Sequence, residues 1–175
     1  LSVQPKAKYS LYHVVGTPEE KGLDADILFL NESAGVDHIT NLRRIITGYL
    51  IAAYGYSQED AETISIFITV YNAVYRGQLE QFSSKYKNAV LTYLTEDSVG
   101  LSTNWDEWAG KTQIVIPLGE IVEGTASVET SEISDDKVIE AMRNDEDKNV
   151  EVREKMTDIK EKEAENASEK AKTAQ

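Results

Sequence analysis

Ser33, Asp37 and His38 lie close together, in the turn Asn31-Glu32-Ser33-Ala34-Gly35 and the segment that follows it. A hydroxyl, a carboxylate and an imidazole are the residue types of an activated nucleophile and its base. The turn follows the apolar run Ile27-Leu28-Phe29-Leu30, and open α/β sheets hold ligands beyond the carboxyl ends of such strands. Asn31, Ser33, Asp37 and His38 are therefore the candidate residues for a small-ligand or hydrolytic site. Two observations weigh against chemistry there. The nucleophile-elbow spacing is absent, and Ser or Asp at a helix start ordinarily caps free amides. No catalytic residue is assigned.

Other polar groupings read more simply as structure. Ala109-Gly110-Lys111-Thr112 has the ending of a phosphate-binding loop, but the position that needs the first glycine is Trp105, and a strand follows instead of a helix. A tight turn is the better reading. Asp24 and Asp26 stand two apart at the start of a strand, so both carboxylates share one face. Catalytic carboxylates belong at the opposite strand end, and a solvated strand start is expected. Arg43-Arg44 has the chemistry to clamp a carboxylate or phosphate. The expectation is that one arginine pairs with an acid at the core edge while the other is solvated. His13 within a strand reads as a half-buried ring, and with only two histidines in the chain no multi-histidine metal site is expected. No cofactor is expected either. The helical tyrosines fall at core spacing, which predicts packed rings with hydroxyls at the rim.

These residues need elements to position them. Lys8 to Val15 is aromatic and β-branched and stops at Gly16-Thr17-Pro18, a strand and a turn; Asp26 to Leu30 is a buried strand. Apolar periodicity predicts a helix from about Asp37 to Tyr54, closed by Gly55, and a second from a Ser57 cap to about Arg76, closed by Gly77. Asp60 completes a capping-box-like start for the second. A third helix is predicted over Leu79 to Leu94. The long connection Thr95 to Gly110 holds Trp105 and Trp108, which predicts an anchored loop. Thr112 to Ile116 is a strand stopped by Pro117, and Gly119 to Thr130 is irregular or a weak edge strand. Asp135 to Arg143 is a helix with Val138, Ile139 and Met142 inward.

Composition separates what folds from what extends. All Trp, Tyr and Phe residues precede Ala109, and after Gly124 there is no Gly or Pro. From Asn149 onward only Val150, Val152, Met156 and Ile159 have the size to pack, and past Ile159 alanine alone remains apolar. The chain carries a formal charge of −13. Residues 1–119 hold 14 acidic and 9 basic side chains, and residues 120–175 hold 17 and 9. An acidic chain without a basic stripe lacks the electrostatic footprint of nucleic-acid binding and is repelled by anionic membrane surfaces. No apolar run approaches the roughly 20 residues of a membrane span, so direct membrane insertion is not expected of this stretch. There is no cysteine, hence no disulfide, thiol nucleophile or zinc–thiolate site. The expected organisation is a compact domain over residues 1–144 and a charged helical extension over 145–175. The fold class is α/β or α+β, a small sheet covered by a three-helix layer.

Three stretches carry a resemblance: Asn41 to Leu50, Ile68 to Gly77, and Trp108 to Leu118 with the preceding Gly100-Leu101-Ser102. Together they resemble the N-terminal domain of the spirochaetal 83/100-kilodalton antigen family, over about residues 9–160. The resemblance implies an exported, envelope-associated antigen, periplasmic or at the outer membrane, made with a signal peptide and continuing into charged coiled-coil-like repeats. It also implies a segment upstream of Leu1, which leaves open whether the sheet is complete within this stretch. The family has no assigned catalytic residues, so none is carried over. The expected function is a non-enzymatic structural or protein-interaction domain, with a protein partner or self-association through the C-terminal helix.

Overall fold

The computed structural model describes residues 8–36, 38–119, 126–143 and 146–173. Three strands, β1 (Tyr9–Val14), β2 (Asp24–Leu30) and β3 (Thr112–Leu118), form one antiparallel sheet in that order. The helices are α1 (Ile39–Tyr54), α2 (Gln58–Val74), α3 (Leu79–Ser83), α4 (Asn88–Leu91), α5 (Thr130–Ile133), α6 (Asp136–Arg143) and α7 (Glu146–Thr173). Antiparallel pairing throughout resolves the fold class to α+β. Among the described residues no helix is long and apolar enough to cross a membrane.

Helix α2 is the hub. It packs against α1, β3, α5, α6 and α7, and it buries Ile64, Phe67, Ile68 and Tyr71 completely or nearly so. Its start is the predicted cap, with Asp60 N–H donating to Ser57 Oγ at 3.1 Å. Helix α1 closes as predicted on Gly55, whose left-handed backbone sends its N–H to Ile51 O. Gly77 likewise turns the chain out of α2 and donates to Val99 O at 2.9 Å.

The strand β3 runs past its expected stop because of where its backbone groups point. Gln113 exchanges hydrogen bonds with the Ser98–Gly100 loop, so residues 113, 115 and 117 face away from β2. Pro117 therefore lacks an N–H only on the outer edge, where its carbonyl accepts from Glu129 N at 2.8 Å. Between these points the side chain of Asn72 from α2 serves Val115, accepting its N–H at 2.9 Å and donating to its carbonyl at 3.0 Å. The same amide group donates to Ile68 O at 2.8 Å. Gly100 must come close for this arrangement. Its φ is 88°, and a Cβ there would sit 2.5 Å from Asn72 O. The expected weak edge pairing after Gly119 is seen at Val128, which bridges Leu118; residues 120–125 of that stretch lie outside the described residues.

The predicted third helix is broken into α3 and α4. At the break Leu23 N–H donates to Lys85 O and Lys87 N–H donates to Leu23 O, a parallel bridge across Tyr86. Gly22 permits it, with φ 121° and no room for a Cβ against Tyr86 backbone at 2.8 Å. Periodicity alone cannot separate one helix from two turns whose apolar residues keep the same spacing. The Tyr86 ring is driven inward, where its hydroxyl meets that of Tyr71 at 2.8 Å. Trp108 anchors the long connection as expected, buried with Nε1 donating to Ser102 O at 2.8 Å.

Helix α7 begins on the domain. Met156 and Ile159 are 2% and 4% exposed and join the core with Val138 and Met142 of α6. Asn149 Nδ2 donates to Met142 O at 2.9 Å, and Thr130 Oγ1 donates to Glu163 Oε2 at 2.7 Å. The contact surface thus extends to Glu163, well inside the stretch that composition assigns to an extension. Ile159→Ala is expected to lower the stability of the whole domain by about 2–4 kcal/mol, read as a drop in the urea midpoint with unchanged slope. A loss of C-terminal helicity alone, with the sheet's melting unaltered, would show that α7 is not part of the core.

Candidate functional site

The turn after β2 distributes its candidate residues. Asn31 donates through its backbone to Lys8 O at 3.0 Å and through Nδ2 to Ser10 Oγ at 3.2 Å, tying the end of β2 to β1. Ser33 is exposed in the turn. His38 is the N-cap of α1, its Nδ1 accepting from Thr40 N–H at 3.1 Å. Asp37, the remaining member, lies outside the described residues. A cleft of about 260 Å³ at this end is lined by Asn31, Glu32, Gly110 and Gln113 among others. Asn31 reaches this cleft, whereas Ser33 and His38 are not among its walls. The Gly110 turn beside it donates its N–H to Leu30 O at 2.9 Å and leads into β3, the tight turn expected of Ala109 to Thr112.

The polar centre that the structure does assemble lies at the start of β2. Asp24 and Asp26 are 8% and 0% exposed, so the expectation of a solvated strand start is corrected. Asp24 takes Gly16 N–H at 2.8 Å and Lys87 Nζ at 3.2 Å. Asp26 lies opposite His13 in the β1–β2 register, and His13 Nδ1 meets its Oδ1 at 2.6 Å. Tyr49 and Tyr54 of α1 both donate to Oδ2, Tyr49 at 2.7 Å. His13 is 48% exposed, and its inner nitrogen is committed to the carboxylate. A carboxylate accepts only, which places the proton on Nδ1.

An Asp–His pair is the orienting half of a nucleophile–base constellation. Here the second carboxylate oxygen is taken by two phenols, and the four side chains join β1, β2 and α1. Burial, and after it the hydrogen bonds and negative charge of Asp26, raise the pKa of both phenols well above the ordinary value. They remain protonated donors at neutral pH. A buried carboxylate is costly unless hydrogen bonds replace its lost hydration, and three donors do so here. The primary sequence offers one signal, two carboxylates in an otherwise apolar strand. The cross-strand register that brings His13 opposite it was not readable from spacing.

A second polar seam runs along α2. Tyr71 donates to Glu132 Oε1 at 3.2 Å and Tyr75 donates to Asp135, linking α2 to the α5–α6 segment. Burial raises the Glu132 carboxyl pKa, offset in part by Lys85 and the Tyr71 hydrogen bond. Arg43 differs from expectation. Its Nε donates to a hydroxyl, Thr69 Oγ1, at 2.9 Å, and burial lowers its pKa.

Fold and polar centres together define a small α+β domain whose buried carboxylate fastens sheet to helix and from which a long charged helix departs. The family model for the Borrelia P83/100 protein matches residues 2–175, and the chain belongs to that family. It is therefore a Borrelia antigen-type protein. Neither curated proteins nor solved structures give a match.

Asp26→Asn is expected to cost about 2–4 kcal/mol in urea unfolding, because an amide cannot accept from all three donors. Tyr54→Phe should cost about 1 kcal/mol. A raised phenol pKa in the folded state contributes stability below the ordinary phenol pKa of about 10, and this is lost as pH rises through the folded value. The urea midpoint should accordingly fall above about pH 10, and fall less in Tyr54→Phe; an identical pH profile in the two proteins would remove the phenols from that role.

Proposed function

We propose that this chain is a non-enzymatic structural and protein-interaction domain of the spirochaetal cell envelope, exported to the periplasm or the outer membrane, with α7 serving as spacer and self-association element. The observation that carries this reading is the asymmetry of α7. Its helix spans 28 residues. Val152, Met156 and Ile159 pack against the domain, whereas past Ile159 the only apolar residue type is alanine, set among Glu and Lys. A helix that is polar all round needs a partner or many side-chain pairs to persist. One end is rooted and the other is left for assembly. Family membership supports the envelope location. The role asked of the polar centres is to hold the root rigid, and it requires no chemistry.

Sedimentation of the full chain and of a form ending at Glu165 tests the reading, since the shortened form keeps the docked turns through Glu163. The expected outcome is concentration-dependent association of the full chain that is absent from the shortened form, with both retaining the same near-ultraviolet circular dichroism. A full chain of monomeric mass from micromolar to millimolar concentration would contradict self-association through α7.

A further inference from the structure

The antiparallel packing of α1 on α2, fixed by the Thr47–Ser65 hydroxyl pair at 3.1 Å and the Arg43–Thr69 bond, leaves an open groove of about 470 Å³ between their outer faces. Arg43 and Arg44 border it toward the α1 N-terminus, Gln58 and Glu62 toward the other end, with Ile51 and Ile66 contributing apolar wall. In a chain of charge −13, this groove collects two arginines against one carboxylate. That carboxylate is itself held by Gln58, whose Nε2 donates to Glu62 Oε1 at 2.7 Å.

Arg43 carries the argument. It is half-buried, its Nε is spent on Thr69, and among the described residues no carboxylate forms an ion pair with its guanidinium. Burial lowers its pKa, with no opposing acid. A guanidinium partly stripped of water and lacking an anion is matched by a planar carboxylate, which it binds through two parallel hydrogen bonds. Arg44 stands beside it, exposed.

The groove is also kept open. Gly48, one turn beyond Arg44, faces it, and a Cβ built there meets nothing within 4 Å. Glycine inside a helix is destabilising relative to alanine, and no packing neighbour demands it at this position. Gly48 and Arg44 additionally border an apolar cleft of about 410 Å³ between α1 and β1, where Tyr9, Leu11 and Tyr49 contribute. Concave surface on both sides of a bare helical ridge suits an extended chain more than a free ion.

We propose that the α1–α2 groove receives an acidic peptide segment of a partner protein, with a carboxylate on Arg43 and Arg44 and an adjoining aliphatic side chain over Gly48 against Ile51 and Ile66. The site rests on the interaction reading above and specifies where a partner is received. It fails separately from self-association, because it does not involve α7.

The test is a titration of the isotopically labelled full chain with the blocked peptide Ala-Leu-Glu-Glu-Leu-Ala, followed by amide and arginine side-chain shifts. Saturable shifts centred on Thr47, Gly48 and the two arginines are expected, lost with the Gln-for-Glu peptide. Arg44→Gln should weaken binding at least ten-fold while leaving the fold intact. Gly48→Leu should weaken it by a similar factor while raising the melting temperature, since it fills open space with a better helix former. Absence of shifts at Gly48, or an affinity in either variant equal to that of the unaltered chain, would overturn the proposal. Acetate competing at the same concentration as the peptide would also overturn it, by reducing the groove to a site for a free anion.

Discussion

The outer edge of β3 is satisfied at Gln113 by the Ser98–Gly100 loop and at Pro117 by Glu129, and between them, at Val115, by a single carboxamide. Asn72 is fully buried and meets both the N–H and the carbonyl of Val115, as a neighbouring strand would. A buried backbone group without a partner costs about 1–3 kcal/mol, so the amide is worth more than its size suggests. It also determines where α2 lies, because the remaining amide hydrogen is directed to Ile68 O in the helix itself. With α2 placed in this way, α1 has a partner along its length and α5, α6 and α7 have a surface to pack on. The three-stranded sheet stops at β3 for a stated reason, and the helices inherit their positions from it.

Asp26 on the central strand does for α1 what Asn72 does for α2. Each is a polar side chain in an apolar setting, satisfied by groups from elements that would otherwise meet only through non-directional packing. Hydrophobic burial specifies that α1 covers the sheet, and polar satisfaction specifies at which register. Among the described residues β1 presents its outer edge with no such device. The two sheet edges therefore differ in kind, one closed by α2 and the loop at Ser98 and one bordered by exposed Tyr9.

Much of this was legible in the residues. Strands β1 and β2 and helices α1 and α2 carry clear periodicity and their own caps, Ser57 and Gly55 among them, so local chemistry and tertiary structure agree. What spacing could not convey was orientation across elements. Pro117 looks like a strand stop until its position on the outer edge is known, and Asp24 and Asp26 look solvated until His13, Lys87 and the α1 tyrosines arrive. Apolar spacing predicts an unbroken third helix because Tyr86 keeps helical spacing while its neighbours bond to Leu23. For the candidate site, Asn31 and His38 proved to be joined to Ser10 and Thr40. Spacing does not reveal the Asp26 centre because its four members come from three separated segments.

The start of α7 is continuous with the core of the domain. Helix α2 packs on both α7 and β3, with Met156 and Ile159 in the shared core and Asn72 bonded to Val115. The claim is that sheet and α7 root form one cooperative unit, and native-state hydrogen exchange on the full chain tests it most directly. The account predicts that the Val115 amide and the amides around Met156 and Ile159 open with the same free energy as denaturant is raised. Exchange of the α7 amides at a markedly lower free energy, with Val115 still protected, would contradict it.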